Sequence, residues 1–166
     1  MKFFAFVVLV LLLFSSPASA GRYKQPGEHE PHANLRFSSG QSGIKSLQMY
    51  WAFSDPLCTQ AGEIITWINW AKRKEQLFRV GTSAKLNLVA TYQAITSIST
   101  TGALGHTADH CNSVVTFTPE AGHTYRITQP PELAVCQVAV VDESTGIAPP
   151  DFQLVETQEK CDFKVL

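Results

Sequence analysis

Short runs of alternating apolar and polar residues fill the chain from residue 33 onward. In the clearest run, residues 84–92, Leu86 and Leu88 fall on one face of a strand while Lys85 and Asn87 fall on the other. These runs are rich in the β-branched and aromatic residues that suit a pleated, half-buried surface. The pattern predicts strands at residues 33–37, 47–53, 63–68, 77–80, 84–92, 113–117, 124–128, 135–141 and 152–155, with residues 162–166 as a further edge strand.

Turn-forming residues separate the predicted strands, notably at residues 39–43, 119–122 and 144–146. Residues 67–78 are the one helical candidate, but they lack capping residues, so the basic residues 72–74 are predicted to form the tip of a hairpin loop. About nine short strands with regular turns predict an all-β protein, a two-sheet antiparallel sandwich of the immunoglobulin-like or a related type. An up-and-down barrel is the alternative architecture.

Residues 96–110 interrupt this pattern, because they contain few large apolar side chains and two glycines. The segment is predicted to be a long loop between two strands. Loops of that length often carry function, so a binding site is expected here first.

The first 20 residues have the composition of a secretion signal. Lys2 precedes twelve apolar residues, and small residues then lead to Ala18 and Ala20, which favours cleavage after Ala20. A permanent signal anchor is the alternative, but twelve residues span only about 18 Å of a hydrocarbon core of about 30 Å. We therefore expect a signal peptide at residues 1–20, a polar tail or linker at 21–32 and a single sandwich domain at 33–166. The expected location is secreted or periplasmic, without a lipid-anchor cysteine.

Charge and composition exclude several classes of protein. The chain of 166 residues has 13 basic and 14 acidic residues, and loss of Lys2 with the signal leaves 12 against 14, a net charge of −2. This balance gives no reason to expect nucleic acid as a partner. Hydrophobic residues make up 45 % of the chain, too many for a disordered protein. No segment after the signal is long and apolar enough to predict a transmembrane helix.

Four cysteines follow the signal, and export into an oxidising compartment predicts two disulfides. No CxxC pair is present, which argues against a structural zinc site and a thioredoxin-like motif. Spacing alone leaves three pairings open. Strand alternation directs one pair of cysteines toward the same core, and so favours the pairing Cys111–Cys136, with Cys58–Cys161 as the second bridge.

A motif of the form Phe-x-Pro-x-Ala-Gly-x-x-Tyr occupies residues 117–125, between Cys111 and Cys136. Together with residues 31–36, it resembles a pattern of uncharacterised bacterial secreted proteins and lipoproteins. The resemblance implies a β-sandwich in a bacterial envelope setting and implies no reaction. The residues themselves predict a hairpin turn at Pro119 and Gly122, with Phe117 and Tyr125 packed together across it.

Histidine is the residue type that clusters most clearly. His106, Asp109 and His110 lie within five residues, and His123 could join them from the following turn. Imidazole and carboxylate ligands suit Zn²⁺ or Cu²⁺, so this set is a candidate metal site in a protein that otherwise calls for no cofactor. The alternative is that these are solvated loop histidines, because the segment lacks the helical pattern that would place both rings on one face.

Trp67 and Trp70 are predicted to lie on opposite faces of a strand, so one of them is expected to face outward. An exposed indole can stack on a sugar or anchor a partner protein, while burial of both under loops is the alternative. The sequence contains no nucleophile elbow, zinc-protease motif, phosphate loop or dinucleotide fingerprint. It therefore predicts an exported, non-enzymatic envelope protein that acts as a binding or structural module, with an envelope protein or a glycan as partner. The alternative is an envelope protein that binds Zn²⁺ or Cu²⁺ through residues 106–110.

Overall fold

The computed structural model describes residues 21–39, 46–69, 75–98, 106–130 and 136–156, with the backbone alone for residues 39, 95–98 and 106–109. Over these ranges the chain forms strands and contains no helix, which confirms the all-β prediction. The strands are β1 (His32–Ser39), β2 (Ser46–Phe53), β3 (Glu63–Asn69), β4 (Gln76–Gly81), β5 (Leu86–Ile98), β6 (His106–Phe117), β7 (Thr124–Gln129), β8 (Ala139–Asp142) and β9 (Gln153–Val155). The candidate strand at residues 162–166 lies outside the described residues.

The strands form two packed sheets, as the sandwich prediction requires. One sheet has the order β3-β2-β5-β6-β9 and the other has the order β4-β1-β7-β8. All pairs of neighbouring strands are antiparallel except β1 and β7, which run parallel. The predicted hairpin at residues 119–122 is wrong, because β6 and β7 belong to different sheets. This turn carries the chain from one sheet to the other. The hairpin loop predicted with residues 72–74 at its tip lies outside the described residues.

The core lies between the two sheets and is built from the side chains that each strand directs toward the opposite sheet. Large aromatic side chains fill it, among them Phe37, Tyr50, Phe117 and Tyr125, all at most 1 % exposed. The ring centroids of Phe117 and Tyr125 are 5.1 Å apart, which confirms the predicted contact. The contact joins the two sheets rather than two strands of a hairpin, so it stabilises the sandwich as a whole.

The disulfide Cys111–Cys136 is present, with a Cα–Cα distance of 5.7 Å, as predicted. Strand β8 is shorter than predicted, because regular pairing begins at Ala139. Just before it, the backbone N–H of Val138 donates to the Ser113 hydroxyl on β6 at 3.0 Å. Cys58 is also disulfide-bonded, and its predicted partner Cys161 lies outside the described residues.

The polar segment before β1, predicted as a tail or linker, contacts the sheets near its start. Tyr23 N–H donates to the carbonyl of Ile64 at 2.9 Å, and Ile64 N–H donates to the carbonyl of Gly21 at 2.9 Å. These bonds add a short parallel bridge to the outer edge of β3. The Tyr23 side chain packs against the core, and Gly81 N–H on β4 lies 3.4 Å from its hydroxyl. The segment therefore links the edges of both sheets.

The predicted long loop at residues 96–110 is wrong at both ends. Strand β5 continues to Ile98 and β6 begins at His106, and these two residues are paired opposite each other. Backbone hydrogen bonding in a ladder does not depend on side-chain polarity, so the strands extend past the last core residues. Residues 99–105 between them lie outside the described residues.

The five-stranded sheet carries buried apolar residues on both of its faces. On its outer face, away from the other sheet, Met49, Trp51, Val89 and Val114 form a second buried cluster, each at most 6 % exposed. Cys58 packs against this cluster from the segment after β2. The outer face of this sheet is therefore partly covered, and it is where the candidate site lies.

Candidate binding face

Two rows of side chains cross the outer face of the five-stranded sheet beside the buried cluster. Strand pairing places their members opposite one another, and strand alternation puts them on the same side as Met49 and Val89. We call these rows the polar face. The first row is Asn69, Leu47, Gln93 and His110, and the second is Trp67, Met49, Thr91 and Asn112.

The two rows differ in how far they are open to solvent. Trp67 is 40 % exposed at the edge strand, and His110 is exposed on β6 at the other end of the face. Between them Met49 and Thr91 are buried, at 3 % and 2 % exposure. The rest of the polar face is half-buried. The middle of the polar face is therefore buried, while the side chains at its two ends are exposed to solvent.

Two buried oxygen atoms on the polar face lack a hydrogen-bond partner in the described part of the chain. These are the Thr91 hydroxyl and the Asn112 side-chain carbonyl, which stand opposite each other on β5 and β6. A buried polar group without a partner costs about 1–3 kcal/mol, so such groups in a folded protein call for an explanation. Both atoms are buried from solvent, so they are a feature of the packing of this face and are not open to a ligand.

Trp67 faces outward, as predicted for one of the two tryptophans, and Trp70 lies outside the described residues. Trp67 pairs with Met49 in the regular part of the β2–β3 ladder, and both lie on the outer side of the sheet. An irregularity in this pairing after Tyr50 lets Ile65 and Ile68 both enter the core although they are an odd number of residues apart.

The predicted metal ligands lie in two parts of the fold. Three of them, His106, Asp109 and His110, belong to strand β6. Only the backbone is described for His106 and Asp109. Phe117, at the end of β6, lies seven strand positions beyond His110, which is about 23 Å at the rise of a β-strand, and His123 follows the turn after Phe117. Among the side chains described, no group of three could hold a metal ion. A Zn²⁺ or Cu²⁺ site at residues 106, 109 and 110 stays a prediction, without His123.

His123 instead pairs with Asp142, 19 positions away, a contact that no sequence pattern indicates. Its Nδ1 lies 2.6 Å from an Asp142 oxygen, and its Nε2 lies 3.6 Å from a Glu120 oxygen. The Ser144 hydroxyl donates to Asp142 at 2.7 Å and not to His123. A hydrolytic relay needs the hydroxyl on the imidazole, so these contacts hold the turn together rather than activate a nucleophile.

The same contacts change the pKa values of both groups. The hydrogen bond that His123 donates to Asp142 raises the pKa of His123 above its ordinary value, and the charges of Asp142 and Glu120 act in the same direction. Burial of Asp142 opposes its ionisation, but hydrogen bonds from His123 and Ser144 outweigh this and lower the pKa of the carboxyl. The pair is therefore stabilised in its charged form.

Comparison of the chain with protein-family models, with curated proteins and with solved structures found no match. The described residues also include no helix that is long and apolar enough to span a membrane. The function must therefore be argued from the polar face and the fold alone.

Proposed function

We propose that the protein is exported and acts in the cell envelope by binding rather than catalysis, with Trp67 as its principal contact residue. The signal-like residues 1–20 support export, and the disulfide Cys111–Cys136 is compatible with an oxidising compartment. The absence of a catalytic motif from the sequence and the structural use of His123 and Asp142 favour binding over catalysis.

The observation that carries this proposal is the exposure of Trp67. Tryptophan is highly buried in most folded proteins, and a side chain that is 40 % exposed retains a large apolar surface for a partner. Trp67 stands on the edge strand of the sheet, opposite the buried Met49. A partly exposed indole is the kind of residue that dominates binding energy at recognition surfaces.

The test is co-sedimentation of the mature protein, residues 21–166, with an isolated envelope fraction of bacteria. We expect retention that saturates and that falls at least about tenfold in Trp67→Ala, because the indole supplies the main contact area. Leu77→Ala is the matched control, since Leu77 is 55 % exposed on the other sheet. Equal retention of Trp67→Ala and Leu77→Ala would refute the assignment of Trp67. Export is tested separately by the amino-terminal sequence of protein recovered outside the cytoplasm, which should begin at Gly21.

A further inference from the structure

We infer that the outer face of the five-stranded sheet is a docking surface for the chain's own carboxy-terminal residues, 157–166, which a disulfide to Cys58 holds in place. Reduction of this disulfide therefore uncovers an apolar row of the sheet. The inference goes beyond the proposed binding through Trp67. It comes from the burial of the outer face, the pairing of the cysteines and the pattern of the last residues in the sequence.

An apolar row crosses the outer face of the sheet from edge to edge. Strand pairing places one residue from each strand in this row: Ile64, Trp51, Val89, Val114 and Val155. The three in the middle are at most 6 % exposed, although they face away from the other sheet. Among the described apolar residues that pack against them, Cys58 alone lies outside the strands. An outward sheet face is buried only under a further layer of chain, so the row has a cover.

A fixed turn presents Cys58 to this row. The φ of Cys58 is 54°, in the left-handed region that residues other than glycine rarely adopt. The Asp55 carboxylate holds the turn on both sides of Cys58, because it accepts hydrogen bonds from Leu57 N–H at 2.9 Å and from Thr59 N–H at 3.1 Å. A strained residue that its neighbours hold in place is typical of a position with a defined task. Here the turn directs the Cys58 side chain onto the outer face.

The count of cysteines identifies the partner of Cys58. The chain has four cysteines, of which Cys111 is bonded to Cys136, and Cys58 is also disulfide-bonded. Within a single chain this leaves Cys161 as its partner. The second disulfide therefore ties the carboxy-terminal residues to the turn that lies on the outer face.

The carboxy-terminal residues are long enough to cross this face. The described part of the chain ends at Glu156, just after Val155 at one end of the apolar row. From Val155 to Trp51 on β2 the row crosses three strand spacings, which is about 14 Å. The six residues from Val155 to Cys161 span about 20 Å when extended. The chain can therefore return from β9 over the row to the turn at Cys58.

The sequence of the last residues suits an apolar docking surface. Cys161, Phe163 and Val165 alternate with Asp162 and Lys164, so an extended segment has one apolar side and one charged side. The disulfide turns the side that carries Cys161 toward the sheet. The aromatic and aliphatic side chains then meet the apolar row, while the charged side chains face water.

The cover depends on the oxidation state of a single bond. A dithiol reductant converts the Cys58–Cys161 disulfide into two thiols and is itself oxidised to a disulfide. Leu57 and Thr59, on either side of Cys58, are exposed, so a reductant can reach this turn. Without the bond, ordering the last ten residues on the face costs conformational entropy that the disulfide otherwise limits. The segment is then released and the apolar row is open to solvent.

Met49 reports whether the outer face is covered. It is the one methionine in residues 21–166, and it lies on this face with 3 % exposure. Hydrogen peroxide transfers one oxygen atom to an accessible methionine and leaves as water, and mass spectrometry measures the sulfoxide. In Cys58→Ser/Cys161→Ser we expect the sulfoxide to form about tenfold faster than in the oxidised mature protein. Equal rates in the two proteins overturn the inference.

Tyr23→Ala is the control for a general loss of stability. It weakens the fold at the segment before β1 and keeps the disulfide, so its Met49 oxidation rate should match that of the unaltered protein. A rise in Tyr23→Ala as large as that in the double serine variant would assign the effect to loosening of the whole fold, and so would also overturn the inference.

The second experiment keeps the disulfide and changes the segment that it holds. Phe163→Ser removes an apolar contact, and Lys164→Ser is the matched control on the charged side. We expect Met49 to be oxidised severalfold faster in Phe163→Ser and at an unchanged rate in Lys164→Ser. Digestion of the unaltered protein without reductant should yield a peptide with Cys58 joined to one with Cys161. Any other partner for Cys58, or equal oxidation rates in the two variants, overturns the inference. Retention on the envelope fraction tests the proposed function separately.

Discussion

The Nδ1 atom of His123 lies 2.6 Å from Oδ2 of Asp142, and this contact ties the turn between the sheets to the end of β8. Glu143 N–H next to it donates to the carbonyl of Thr124 at 2.9 Å. The pair therefore connects the start of β7 with the end of β8, at one end of the four-stranded sheet. Because it is favoured in its charged form, its contribution to stability depends on pH.

The contribution of the His123–Asp142 pair to the free energy of unfolding should be greatest in mildly acidic solution. A raised histidine pKa stabilises the fold fully below the ordinary histidine value of about 6.5, and this contribution is lost as pH rises through the folded value. A lowered Asp142 pKa stabilises the fold above the ordinary value of about 3.9, and is lost as pH falls. Urea unfolding should thus show His123→Gln most destabilised near pH 5 and less so at pH 8.5. His29→Gln, in the exposed segment before β1, is the control, and an equal loss at both pH values would contradict the assignment.

The short runs of β-branched, aromatic and other apolar residues were sufficient to predict several strands. β1, β2, β3, β4 and β7 fall within about two residues of their predicted bounds. The sequence failed for residues 96–98 and 106–110, where the ladder continues over polar residues whose pattern resembles a loop. It also could not assign β6 and β7 to different sheets, because a turn that joins sheets uses the same Pro and Gly residues as a hairpin.

The polar face was only partly predictable, for a related reason. Trp67 could be selected because an aromatic residue at an outward strand position is a local signal. Thr91, Gln93 and Asn112 could not, because single polar residues within strands are ordinary, and only the strand register aligns them with Trp67. The register is a long-range property that a single sequence does not reveal.

The segment before β1 should contribute to stability through Tyr23. Its half-buried ring packs against the core and its hydroxyl accepts a bond from Gly81, while Gln25 accepts one from Arg79 N–H at 2.9 Å. Tyr23→Ala in the mature protein should lower the free energy of unfolding by about 1–3 kcal/mol, measured by urea denaturation. Lys24→Ala, an exposed neighbour, should change it by less than about 0.5 kcal/mol. A Tyr23→Ala value within that same margin would show that the segment does not hold the two edges together.

Gly62 should not tolerate a side chain, because the Phe53 ring occupies the space. A Cβ atom at this position would overlap the Phe53 ring, and Phe53 in turn packs against the outer buried cluster. Gly62→Ala should therefore cost about 1–3 kcal/mol of unfolding free energy, as overpacking does in other cores. Gly81→Ala is the matched control, since nothing lies within 4 Å of its Cβ position. Equal stability of the two variants would mean that the ring moves aside without cost.

Loss of the hydroxyl should change the free energy of unfolding differently at two buried tyrosines, Tyr50 and Tyr125. The Tyr50 hydroxyl is fully buried and lacks a partner in the described ranges, and burial raises the pKa of Tyr50 well above its usual range. Tyr125 accepts a hydrogen bond from Glu120 N–H at 3.0 Å. Tyr125→Phe should thus cost about 0.5–1.5 kcal/mol, the net worth of a typical hydrogen bond.

Tyr50→Phe should be neutral or stabilising, because it removes a polar atom that gains nothing in the folded state and is solvated in the unfolded state. Both variants keep the aromatic ring, including the 4.5 Å contact of Tyr50 with Phe37, so packing is held constant. Chemical unfolding of the two variants at one pH gives the comparison directly. A loss in Tyr50→Phe as large as that in Tyr125→Phe would show that the Tyr50 hydroxyl has a partner, such as a buried water, between the sheets.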